Sequence, residues 1–98
     1  MKIEAKGMHV FEGRSDNLLG ICDVRLGDGE YVVKGVRVVD SEKGPFVSLP
    51  QFKDREGHYQ DVVFPTSKEG REQLSHAVLQ EYEHVAMQQR QQAAGAER

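Results

Sequence analysis

Four histidines, one cysteine and several acidic pairs are the residues of this chain best suited to bind a metal or attack a substrate, so their spacing is the first test. His76 and His84 share a helical stretch but lie two turns apart, while His9 and His58 fall elsewhere in the chain. Zinc sites usually bring ligands as close pairs, such as His at i and i+4 supported by a thiolate or carboxylate. No such pair occurs, and scattered structural or surface histidines are the simpler reading. Cys22 falls on the apolar side of a strand pattern, where a thiol behaves as a small hydrophobe with a raised pKa. It has no adjacent base or helix start to draw out the thiolate. Asp54 with Glu56, and Asp23 with Asp28, are interleaved with Lys and Arg in the manner of solvated surface. Gly27-Asp28-Gly29 lacks the Lys and the following helix of a phosphate loop. No catalytic residue, metal or cofactor is expected, and an enzyme is the least favoured class.

Binding chemistry is easier to find. Lys53 and Arg55 fall before the last predicted strand, and Lys68 and Arg71 at the start of the helix after it. Phe52, His58 and Tyr59 lie near them. Cations position phosphates, and rings stack on unpaired bases. Asp54, Glu56 and Glu69 sit beside the same cations and cancel part of their field. On residues alone a solvated loop therefore stays ahead of a binding surface.

The elements that must position these residues follow from hydrophobic periodicity. Residues Lys2 to Phe11 alternate imperfectly, which predicts a strand with an irregularity near Gly7. After the turn cluster Glu12 to Asn17, Leu18 to Leu26 reads as a half-buried strand with Leu18, Cys22, Val24 and Leu26 on one face. Gly27-Asp28-Gly29 is a hairpin signal. Glu30 to Val39 is the strongest strand, expected to turn Val32, Val36 and Val38 one way and Tyr31, Val33 and Val39 the other. A short strand at Phe46 to Leu49 is stopped by Pro50, Gln51 to His58 reads as a polar loop, and Tyr59 to Phe64 as the final strand. From Thr66 the period changes to helical, with Thr66 or Ser67 as cap and Glu69 in a capping-box position after Thr66. Leu74, Val78, Tyr82 and Val85 form the apolar stripe, widened by Leu79 and Ala86. After Met87 the Gln- and Ala-rich run 88–98 has nothing large and apolar to dock it, and a frayed tail is expected. The predicted fold is α+β: a small curved antiparallel sheet of about five strands with one C-terminal amphipathic helix.

Composition sets the outer bounds. Ninety-eight residues give one domain, 1–87, and the tail. Thirteen Lys and Arg against sixteen Asp and Glu leave a formal charge of −3, which argues against indiscriminate coating of nucleic acid. One cysteine excludes a disulfide-stapled scaffold. With no signal-peptide pattern and no membrane-length apolar run, the expected location is cytoplasmic and no membrane partner is expected. A lean apolar set in a short chain also favours oligomerisation.

One stretch carries a resemblance. Val32-Val33-Lys34-Gly35-Val36-Arg37-Val38-Val39-Asp40 is followed by Gly44-Pro45-Phe46-Val47-Ser48-Leu49-Pro50 and Gly57-His58-Tyr59-Gln60-Asp61-Val62-Val63-Phe64-Pro65. The helix then carries Ala77-Val78-Leu79-Gln80-Glu81-Tyr82. These ordered landmarks, spanning Cys22 to Tyr82, resemble the stage V sporulation protein G, or septation protein (SpoVG), family. The resemblance implies a small α+β fold that dimerises through strand pairing, and a bacterial regulator of septation, sporulation or gene expression that binds DNA, RNA or both. It also implies a basic segment after Pro50, where this chain has Gln51, Phe52 and Lys53, and a further Arg where it has Gln60. Two family cations are thus replaced, with Arg55 nearby. The residues expected to meet phosphates are Lys53, Arg55, Lys68 and Arg71, doubled in a homodimer. The alternative is a protein-interaction module of the same fold that has lost nucleic-acid binding.

Overall fold

The computed structural model describes residues 2–13 and 15–96. Met1, Arg14 of the predicted turn cluster, and Glu97 and Arg98 of the predicted tail lie outside them. Strands β1 (Ile3–Val10), β2 (Leu18–Leu26), β3 (Tyr31–Val39) and β4 (Phe46–Ser48) form one antiparallel sheet in the order β1-β2-β3-β4. Strands β5 (Gln51–Lys53) and β6 (Tyr59–Asp61) form a separate two-stranded hairpin, and α1 runs over Lys68–Ala96. The α+β architecture is as expected, with six strands in two sheets among the described residues where the sequence predicts about five. The missed strand is β5, hidden in a polar stretch after a proline. Pro50 lies between β4 and β5, where no ladder needs its missing N–H, and its carbonyl accepts from the Val62 N–H at 2.8 Å. The final strand ends at Asp61, earlier than its apolar run suggests, and 62–67 leads irregularly to the helix.

Two glycine bulges decide which residues face the helix. Pairing slips between Lys6↔Asp23 and His9↔Ile21, so Gly7 and Met8 together oppose Cys22. Gly7 has a φ of 64°, a conformation that costs glycine little. The alternation therefore changes parity: Ala5, Met8 and Val10 turn inward, whereas Lys6 and His9 stay outside. In β3 the slip lies between Cys22↔Val36 and Val24↔Val33, centred on Gly35 with a φ of 77°. This corrects the predicted faces of β3. Val33 joins Val36 and Val38 against the core, and Val32 moves to the exposed outer face.

The core is thin and aliphatic. Val24, Val36, Val38 and Val78 are its fully buried large side chains among the described residues, joined by Ala5, Cys22 and Ala86. Leu74, Leu79 and Tyr82 from α1 pack against it, as the helical stripe predicts. Ser67, not Thr66, caps the helix: its Oγ accepts from the Gly70 N–H at 3.0 Å, and its carbonyl from the Arg71 N–H at 3.1 Å. The residue three beyond this cap is Gly70, so no carboxylate completes a capping box. Beyond Met87 the backbone stays helical to Ala96, through Gln and Ala residues of high helix propensity. No helix among the described residues is long and apolar enough to cross a membrane.

Candidate nucleic-acid interface

The register of β5 and β6 sorts the hairpin into two faces. Gln51 opposes Asp61 and Lys53 opposes Tyr59 on one face, while Phe52 opposes Gln60 on the other. Gln51 Nε2 donates to Asp61 Oδ1 at 2.8 Å across the first pair. Lys53 and Tyr59, the latter 68% exposed, place a cation beside an open aromatic ring. Phe52 is half exposed on the opposite face. The hairpin backbone stands off from the sheet and helix: among the described residues no Cα of β5 or β6 lies within 8 Å of a Cα in any other element.

Asp54 builds the hairpin's tip. Its Oδ1 accepts from the Glu56 and His58 N–H groups, both at 2.9 Å, and its Oδ2 from Gln60 Nε2 at 3.2 Å. Its own N–H donates to the His58 carbonyl at 2.8 Å, and its carbonyl accepts from the Gly57 N–H at 3.1 Å. The sequence treats Asp54 as a charge that offsets its cationic neighbours, but the structure gives it a structural task. The available signal was an aspartate two residues before the amide it captures, with a glycine one position further on. Glu56 leans toward His58, with 3.6 Å between Oε2 and Nδ1. Among the described residues, none of Lys53, Arg55, Lys68 and Arg71 has a carboxylate within 4.0 Å.

Hydrogen bonds to the ionised carboxylate, led by the one from the His58 backbone, hold the Asp54 pKa below its ordinary value. The contribution to turn stability is therefore complete above the unfolded-state pKa of about 3.9. It is lost as pH falls through the depressed folded value. In amide-exchange NMR, the Glu56 and His58 amides should lose protection over that acidic window, and Asp54→Ala should remove it at neutral pH. Amides equally protected in the variant would show that the carboxylate does not hold the turn.

The four predicted residues fall into two pairs. Lys53 and Arg55 belong to the outer half of the hairpin. Lys68 and Arg71 sit in the first turn of α1, three residues apart and so on neighbouring parts of its surface. Arg71 lines a cleft of about 440 Å³ together with Gln51 and Asp61 at the hairpin base and Leu74 and Leu79 of the helix. The cleft thus brings Arg71 to the hairpin's root. Lys53 stands two residues further out, about 7 Å along the strand. Cations in a first helical turn oppose the macrodipole, whereas an anion there is favoured by it. Lys68 and Arg71 are better matched to an anionic ligand than to helix stability.

The other chemistry-bearing residues stay apart. Cys22 is buried at 3% exposure, and burial, followed by the negative charges of Asp23 and Glu81, pushes its thiol up to about 11. Among the described residues no three His, Cys, Asp or Glu side chains gather in a metal-binding group.

The SpoVG family profile matches residues 1–84. The chain belongs to the SpoVG family. It is 46% identical over 56 residues to a protein of Archaeoglobus fulgidus whose name includes "septation protein SpoVG", an alignment covering 57% of this chain and 66% of that one. A similarly named protein of Heliobacterium modesticaldum is 45% identical over 58 residues, covering 59% and 65% of the two chains. One from Brevibacillus brevis is 37% identical over 62 residues, covering 63% and 65%. The matched part thus spans just under two thirds of these relatives' length. The SpoVG resemblance implies cations at the positions of Phe52 and Gln60, which are direct cross-strand neighbours. In this SpoVG chain that face carries a ring and an amide, and the amide is engaged by Asp54.

Proposed function

We propose that this chain is a non-catalytic regulator that binds DNA or RNA as a homodimer, meeting phosphates through Lys53, Arg55, Lys68 and Arg71. The observation that carries this reading is that all four cations are exposed and, among the described residues, have no carboxylate within 4.0 Å, although the chain is acidic overall. Tyr59 beside Lys53 adds a stacking surface to a phosphate contact. Strand β4 supports the dimer: it ends the sheet with an open edge and carries the exposed ring of Phe46. Pairing that edge with a second copy satisfies its free backbone groups and doubles the cationic set.

The test is a salt-dependent titration against single- and double-stranded DNA and RNA, run with a measurement of mass in solution. Lys53→Glu combined with Arg71→Glu should weaken binding by tenfold or more, as an order of magnitude. It should also flatten the dependence of log K on log salt by about 1.4–1.8, since each neutralised phosphate contributes about 0.7–0.9. Unchanged affinity and slope would defeat the reading.

A second reading has its own observation. Phe52, Val62 and Phe64 are all half exposed or more, on or just after the hairpin. Apolar groups left open in this way also suit a protein partner. Partners retained in a pull-down after nuclease digestion would favour the interaction module.

A further inference from the structure

We infer that the face of the four-stranded sheet turned away from α1 is a second docking surface, and that its ligand is a single-stranded nucleic acid. The inference uses none of the hairpin or helix cations and stands apart from the assignment made for them.

The two bulges create this face. By holding Ala5, Met8 and Val10 of β1 and Val33, Val36 and Val38 of β3 against the core, they turn Lys6, His9, Lys34 and Arg37 outward. Arg25 of β2 lies on the same side, between Glu4 and Val32. Lys2 joins them through its ion pair with Glu4. The carboxylates on this face are Glu4 and Asp23. Glu4 is already bracketed by Lys2 at 2.7 Å and Lys6 at 3.5 Å, and these pairs hold its pKa low. Arg25, Lys34 and Arg37 are exposed, with no carboxylate within 4.0 Å among the described residues. Five cations against two carboxylates make a positive field on a chain whose formal charge is −3.

Charge alone would suit any polyanion, but the neighbouring row narrows the choice. His9, Ile21, Arg37 and Ser48 are successive cross-strand partners over all four strands. The ring of Phe11 meets that of His9 edge to face, with centroids 4.7 Å apart and an interplanar angle of 65°. A platform with the exposed His9 ring at one end and cations across it can stack an unpaired base and hold the phosphates that follow it. Base pairs in a duplex keep their faces stacked on one another and offer nothing to these rings. A second copy of the same face is disfavoured, because it would set like charges against each other.

The probe is a fluorescein-labelled 12-nucleotide oligouridylate, followed by anisotropy beside a duplex of equal length. Neutralising the face with Arg25→Gln, Lys34→Gln and Arg37→Gln keeps the side chains polar and exposed. It should weaken oligouridylate binding roughly ten- to a hundredfold near 0.1 M salt and flatten the salt slope by about 2. In the native chain, the ring-proton NMR signals of His9 and Phe11 should move upfield as oligouridylate is added. If the triple variant binds as the native chain does while Lys53→Glu with Arg71→Glu abolishes binding, this inference falls and the hairpin assignment stands. The opposite pattern upholds it and removes that assignment. Tighter binding of the duplex, or static His9 and Phe11 signals at saturation, would also overturn it.

Discussion

Replacing Gly20 with valine should destabilise the fold by about 1–3 kcal/mol, the usual range for overpacking a filled interior. Gly20 is buried in β2 between Val10 of β1 and Val38 of β3. A Cβ built there would stand 3.2 Å from the His9 carbonyl oxygen, 3.2 Å from Met8 Sδ and 3.3 Å from Tyr82 Cδ1. The Met8 thioether can swing aside, but the carbonyl belongs to the β1 backbone and the Tyr82 ring to the helix. Valine's two further carbons would push the helix off the strand that carries it. A domain of this size loses about 4–8 °C of thermal midpoint per kcal/mol, so circular dichroism melts will resolve the effect. Gly20→Ala should give a smaller loss, because only the first carbon must be fitted. A valine variant that melts with the native chain would mean that α1 does not rest on β2 at this point.

Val38→Ala should cost about 2–3 kcal/mol. Val38 is fully buried, flanked by Gly20 on one strand and Val47 on the other. Two lost carbons remove about 1.6 kcal/mol of transfer free energy, and the residual cavity adds the remainder. The site collapses poorly, since Gly20 has no side chain to lean into the gap. With total stability of about 5–15 kcal/mol for a domain of this length, one such change removes a sizeable fraction. Val38→Thr separates volume from polarity: it keeps the shape but buries a hydroxyl, which costs about 1–3 kcal/mol if unpaired. Chemical denaturation of both variants checks the assignment. If neither moves the midpoint, the interior does not depend on Val38.

How much of this was legible in the residues varies with how much pattern each segment carries. The β1 bulge could be read because Ile3 and Ala5 follow one parity and Met8 and Val10 the other. The β3 bulge could not, because Val32, Val33, Val36, Val38 and Val39 are alike, and a run of valines has no parity to break. The helix stripe was plain from Leu74 to Ala86, whereas the cap was ambiguous because Thr66 and Ser67 are both competent. Strand β5 is three residues long and depends on its partner β6, so nothing local announces it. At the candidate interface the residue types were legible, but their grouping was not. Arg71 reaches the root of the hairpin only because 62–67 folds back toward it. The cations of the outer sheet face were scattered through strands that read as ordinary alternation, and only the register gathers them.

The separation of the hairpin from the rest of the molecule has an evolutionary consequence. Among the described residues no Cα of β5 or β6 lies within 8 Å of a Cα in another element, and Gln51 and Asp61 at the hairpin base line the cleft with Leu74 and Leu79, so substitutions beyond that base leave folding nearly untouched while altering what the tip presents. Natural variation can exchange a pair of cations for Phe52 and Gln60 without a compensating change in the valine interior. The hairpin is in this sense an interchangeable reader on a constant frame, free to drift toward new ligands at a rate the core cannot match.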